Sequence, residues 1–179
     1  MNTNKPIADN AKLYIVEALC ALMKNTSFQD ISITAVTKKA GVSRMSFYRN
    51  FESKEDVISY YIDYMMKAYL ANSPIYQPGT HNFKTKAHIE FTLCYFREYR
   101  EFFLCLDKEH MTGLLLSKID AYISENVKVP QDDPTYHYRL YAFAGALYNV
   151  YIEWIKHNMT VPASALADML YDTYHPEVL

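Results

Sequence analysis

Between residues 8 and 25, apolar side chains fall at Ile15, Ala18, Leu19, Leu22 and Met23, the three-and-four spacing that lines one face of an amphipathic helix. Asn25-Thr26-Ser27 ends that pattern. Ser32 stands where its side-chain oxygen can cap a short second helix from Ile33 to Ala40, with Ile33, Val36 and Ala40 turned inward. Gly41 follows at the position where a left-handed backbone closes a helix cheaply. Ser43 can cap a third helix that reaches only to about Asn50. Ser53, with Asp56 three residues on, resembles a capping box and opens a long fourth helix from Lys54 to about Leu70.

The string NSPIYQPGTH at 72–81 has two prolines and a glycine and predicts a loop. Helices are predicted at about 82–99, 100–107 and 111–126, and VPQDDP at 129–134 is a second loop. A helix from about Thr135 to His157 follows. Pro162 then stands at or near the start of a last helix that ends around Tyr174. No strand-like alternation and no internal repeat compete with these patterns. The chain is predicted to be all-α.

Two short helices joined by a tight turn and docked on a longer first helix form a helix-turn-helix unit, whose post-turn helix enters the DNA major groove. The predicted organisation is therefore an N-terminal three-helix domain over residues 1–54 and a larger helical bundle over 55–179, with the functional boundary inside the fourth helix. In SRMSFYRNF, residues 43–51, Phe47 and Phe51 lie four apart and can face the core, while Arg44, Met45, Tyr48 and Arg49 point elsewhere. An unpaired guanidinium is costly to bury. The stretch thus has an apolar side and a polar side that meets something else.

Charge sharpens this reading. The net charge is −2, yet residues 1–54 hold eight Lys/Arg against four Asp/Glu, and residues 55–179 hold ten against sixteen. A local positive field can attract an anionic polymer to an acidic protein. Half of the 179 residues are apolar and only four are glycine, which excludes a disordered or collagen-like chain. No run approaches the roughly 18 apolar residues of a membrane span. The N-terminal MNTNKPIADNAK lacks the apolar core of a secretory signal, and Cys20, Cys94 and Cys105 lack CxxC spacing, so a cytoplasmic protein without a membrane partner is expected.

Catalytic and metal-binding patterns are missing. The histidines at 81, 88, 110, 137, 157 and 175 show no HExxH or paired metal spacing. There is no GxSxG, no GxxxxGK and no dinucleotide fingerprint. No enzyme activity, metal or cofactor is expected.

The run from Ile15 through Phe28, Ile33, Val36, Ala40-Gly41-Val42-Ser43, Phe47-Tyr48, Phe51 and Lys54 resembles the N-terminal domain of the TetR/AcrR family of transcriptional regulators. The resemblance implies a double-stranded DNA operator as partner. It implies contacts by Thr34, Ser43, Arg44, Met45, Ser46, Tyr48, Arg49 and Lys54. Arg44, near the start of the recognition helix, suits bidentate pairing with guanine O6 and N7. Ser43 and Tyr48 suit phosphate, which positions without reading sequence. Lys54 opens a helix, where free N–H groups favour a phosphate. Thr34 is equally readable as a plain first-turn residue. Many family members carry glycine where this chain has Met45; methionine there either touches a thymine methyl group or holds the helix further out.

The resemblance also implies a homodimer with recognition helices about one helical turn, roughly 34–36 Å, apart, and a C-terminal domain that binds a ligand and dimerises. The stretch from Arg139 to Ile155 is apolar on most sides, and Ala142, Gly145 and Ala146 permit close helix approach. With Tyr148, Leu166, Met169 and Leu170 it suits a four-helix interface between subunits, although a monomer core fits the same pattern. Tyr61, Tyr64, Met65, Tyr95, Tyr99 and Phe103 are candidates to line a ligand pocket, although an aromatic and methionine stripe at helical spacing is more often ordinary core. The expected function is a ligand-responsive repressor acting as a dimer on a near-palindromic operator, with an activator that takes a protein partner instead of a small-molecule effector left open by the resemblance. The alternative is a helical protein-interaction coactivator whose helix-turn-helix binds DNA weakly or not at all.

Overall fold

The computed structural model describes residues 5–73, 85–126 and 133–174. Among them it contains α-helices and short 3-10 turns and no strand. The helices are α1 (Lys5–Met23), α2 (Ile33–Ala40), α3 (Arg44–Asn50), α4 (Lys54–Asn72), α5 (Lys86–Phe96), α6 (Arg100–Lys108), α7 (Thr112–Asn126), α8 (Tyr136–Lys156) and α9 (Ala163–Tyr174). The chain divides into two compact units, 1–66 and 67–179, the division falling within α4. Most of the 72–81 and 129–134 loops, and the start of the helix predicted from 82, lie outside the described residues.

In the first unit α1 packs on α2 and α3. Ile15, Leu19, Met23, Val36 and Phe47 are fully buried, and Phe28, Ile31, Phe51, Val57, Ile58, Ile62 and Met65 complete the core. Ile33 and Ala40, predicted to face inward, are only half-buried; on an eight-residue helix Val36 takes the central inward position. Thr37 is buried instead, its hydroxyl satisfied by donating to the Thr34 carbonyl at 3.1 Å.

In the second unit α5 packs on α9, and α8 contacts α6, α7 and α9. The helix predicted to run unbroken to residue 99 ends at Phe96 and tightens into a 3-10 turn over Arg97–Tyr99. A tertiary contact accompanies that ending: the Tyr151 hydroxyl of α8 donates to the Phe96 carbonyl at 2.7 Å, satisfying a terminal acceptor. Tyr69, Phe91, Tyr95, Phe96, Tyr99 and Phe103 form a continuous ring cluster, with neighbouring centroids 5.2–6.3 Å apart. Beside it lies a buried polar triad. Thr92 donates to the His88 carbonyl at 2.8 Å, so the Tyr69 hydroxyl, 2.8 Å from Thr92 Oγ1, must donate to that oxygen. His88 Nε2, 2.9 Å from the Tyr69 oxygen, therefore carries the proton. Burial pushes the His88 pKa down to about 4 and that of Tyr69 up to about 12.

Candidate nucleic-acid interface

Three local devices set the position of α3. The Ser32 hydroxyl accepts from the Ala35 N–H at 3.1 Å and starts α2. Gly41, at φ 68°, ends it in the left-handed region, and the Val42 N–H reaches back to the Thr37 carbonyl at 3.0 Å. The Ser43 hydroxyl accepts from the Ser46 N–H at 3.0 Å and starts α3, which leaves the Ser43 proton free to donate outward. Inside, Phe47 is fully buried and stacks at an angle on Phe51, 6.0 Å between centroids. Phe51 in turn meets the Tyr60 ring edge-on at 5.5 Å.

The opposite side of α3 is open. Arg44 and Arg49 are exposed, and neither has an ion-pair or hydrogen-bond partner among the described residues. Met45 is 74% exposed and Tyr48 51%, the latter resting the edge of its ring on Phe47. Thr34, Lys38, Lys39 and Ser43 are exposed and Ser46 is half-buried. Asn50 is turned back on its own helix, its amide donating to the Ser46 carbonyl at 2.7 Å. The structure thus brings Thr34, Ser43, Arg44, Met45, Ser46, Tyr48 and Arg49 together around one helix-turn-helix. Arg49 also borders an open cleft of about 560 Å³ with Lys12, Tyr60 and the carboxylates Glu52, Asp56 and Asp63. These anions offset its field, so Arg44 is the less compensated cation.

Lys54, expected at a phosphate, has its ammonium engaged within the chain. Its ammonium donates to the carbonyls of Phe28 at 2.5 Å, Ile31 at 2.7 Å and Gln29 at 3.4 Å, and sits 4.6 Å from the Phe28 ring centroid. The start of α4 is likewise taken. The Asp56 N–H donates to Ser53 Oγ, the Asp56 carboxylate accepts from the Glu52 N–H, and Glu55 and Asp56 place negative charge in the first turn. That charge opposes a phosphate there. Lys54 closes the turn before α2 onto α4, a role carried by residues 23 to 26 positions away and invisible to local pattern.

Comparison with known proteins places this geometry. A family model described as bacterial regulatory proteins, tetR family, matches residues 15–61, which contain the whole helix-turn-helix. A protein of Bacillus subtilis (strain 168), the uncharacterized HTH-type transcriptional regulator YxbF, is 27% identical over 175 residues, covering 92% of this chain and 44% of its own length. A tetR-family transcriptional regulator from Streptomyces coelicolor superimposes with a TM-score of 0.61 at 14% identity, over 91% of this chain and 80% of its own. Residues 15–61 thus carry the helix-turn-helix of the tetR family.

Two further solved structures share the TetR-like fold. The fatty acid degradation regulator FadR from Bacillus halodurans gives a TM-score of 0.64 at 15% identity, over 94% of this chain and 96% of its own. The dihydroxyacetone kinase operon activator DhaS gives 0.57 at 16%, over 92% and 93%. The chain nonetheless spans less than half the length of its curated Bacillus subtilis relative.

The other sequence candidates separate by unit. Tyr61, Tyr64 and Met65 belong to the first, where Met65 is buried and the rings of Tyr61 and Tyr64 stack at 6.2 Å. Tyr95, Tyr99 and Phe103 belong to the aromatic cluster of the second. Of the interface candidates, Tyr148 and Leu170 are corrected: both are buried within their own unit, where α8 and α9 pack on α6, α7 and α5. Ala142 and Met169 are exposed, and Gly145, Ala146 and Leu166 half-exposed. Among the described residues no group of three or more His, Cys, Asp or Glu could hold a metal ion, and no helix is long and apolar enough to cross a membrane.

Proposed function

We propose that this chain is a one-component transcription regulator that binds a near-palindromic DNA operator as a homodimer. The observation that carries the reading is the pair of exposed guanidiniums, Arg44 and Arg49, without an ion-pair partner among the described residues and held with Tyr48 on the open side of a capped helix whose other side is anchored by Phe47. Unpaired cations beside an apolar anchor suit a polyanion with hydrogen-bonding base edges. Arg44 reads a base, while Ser43, Tyr48 and Arg49 hold phosphates and Thr34 and Ser46 border the contact.

One such helix reads only a few base pairs, so the dimer supplies the second half-site. The exposed part of the α8 and α9 surface, Ala142, Gly145, Ala146, Leu166 and Met169, is the face offered to the second subunit. A Cβ built on Gly145 would meet nothing within 4 Å, so close packing inside the chain gives no reason for its small size, whereas an approaching helix does. An effector taken up by the second unit, beside the aromatic cluster, would alter the separation of the two reading heads and release the DNA. This makes the chain a ligand-responsive repressor.

The test is selection of bound sequences from random double-stranded DNA, followed by a salt titration on the recovered site. A symmetric site with half-sites one helical turn apart and a steep negative salt slope is expected. No sequence preference at any salt would remove the proposal.

A further inference from the structure

Met45 is the most exposed large apolar residue among the described residues of the first unit, at 74%. It occupies the first turn of α3, beside Arg44 in sequence and facing Tyr48 and Arg49 three and four positions on. Nothing among the described residues accounts for an unbranched apolar side chain standing out beside two arginines that have no ion-pair partner there. Methionine has no donor and only a weak acceptor in its thioether, so it cannot read the polar edge of a base pair. It is flexible and polarisable, suited to contact with another small apolar group. In the major groove the bases present one such group, the C5 methyl of thymine.

We propose that Met45 is a methyl reader: in each operator half-site it contacts the C5 methyl of one pyrimidine, accepting thymine or 5-methylcytosine and discriminating against uracil and unmodified cytosine. The inference rests on the DNA-binding reading above. It adds that specificity at one position per half-site resides in a methyl group and not in hydrogen bonds. Because 5-methylcytosine carries its methyl on the same ring carbon as thymine, operator affinity becomes sensitive to cytosine methylation wherever cytosine occupies that position.

The experiment uses the full chain and the site recovered from random DNA, with each thymine replaced singly by deoxyuridine, a change that removes the methyl and nothing else. At one position per half-site the wild-type protein should lose about fourfold in affinity, the worth of burying one methyl group. Met45→Ala should bind the thymine and uracil sites alike, and Met45→Leu, which keeps an apolar side chain of similar reach, should retain the difference. With cytosine at that position, 5-methylcytosine should restore binding to the wild type and not to Met45→Ala. If the chain binds its selected site but no thymine-to-uracil difference depends on residue 45, the methyl-reading role is overturned and the DNA-binding reading stands. If no site is selected, the DNA-binding reading falls first and the methyl reader with it.

Discussion

Replacing Lys54 with methionine keeps most of the stem that lies against the Phe28 ring and removes only the ammonium. In the folded chain that ammonium serves the Phe28 and Ile31 carbonyls at 2.5 and 2.7 Å, and the Gln29 carbonyl more distantly at 3.4 Å. Phe28 and Ile31 are themselves buried, so their carbonyls have restricted access to replacement water. A hydrogen bond to a charged donor is worth roughly 1.5–3 kcal/mol net, and the ring contact adds about 0.5–1 kcal/mol. One donor group shared among these acceptors does not deliver the full sum. Lys54→Met is therefore expected to cost about 2–4 kcal/mol of stability, read as a lower urea midpoint with an unchanged slope. Lys54→Arg should recover little, since a planar guanidinium cannot direct its donors to converge on these carbonyls as an ammonium does. DNA affinity of the folded fraction should fall modestly and equally for operator and random DNA. A variant with unchanged stability and a large loss of DNA binding would refute the clamp and return Lys54 to a phosphate.

Three further outcomes follow from the same geometry. Gly41→Ala should destabilise the chain by about 1 kcal/mol in chemical denaturation through backbone strain alone, because a Cβ there has open space but φ is 68°. Arg44→Ala should weaken operator binding more than random-DNA binding, in a competition assay, whereas Arg49→Ala should weaken both alike; equal losses for the two variants would remove Arg44 as the base reader. The buried neutral His88 carries a folded-state pKa of about 4 against an ordinary value of 6.5, so the unfolded chain binds the proton first as pH falls. Its contribution is thus intact above about pH 6.5 and lost progressively towards pH 4, by about 3 kcal/mol in all, and His88→Gln should flatten that part of a stability–pH profile.

Much of this protein was legible along the chain. The caps at Ser32 and Ser43, the glycine at 41 and the three-and-four spacing of Ile15, Leu19 and Met23 each act within five residues. Local spacing therefore determined where helices begin, end and turn their apolar sides, and with them the layout of the helix-turn-helix. The exposed set Arg44, Met45 and Arg49 was legible for the same reason: Phe47 and Phe51 claim the inner side of a seven-residue helix, and only the rest remains. The tertiary structure alone decided the partners that span long stretches of chain. It directed the Lys54 ammonium to carbonyls 23 to 26 residues earlier. It ended α5 at Phe96 in company with a tyrosine 55 residues later, and it buried Tyr148 and Leu170 where periodicity left core and interface both open. A side chain's periodicity says that it faces another element, and only the packing of the whole chain says which one.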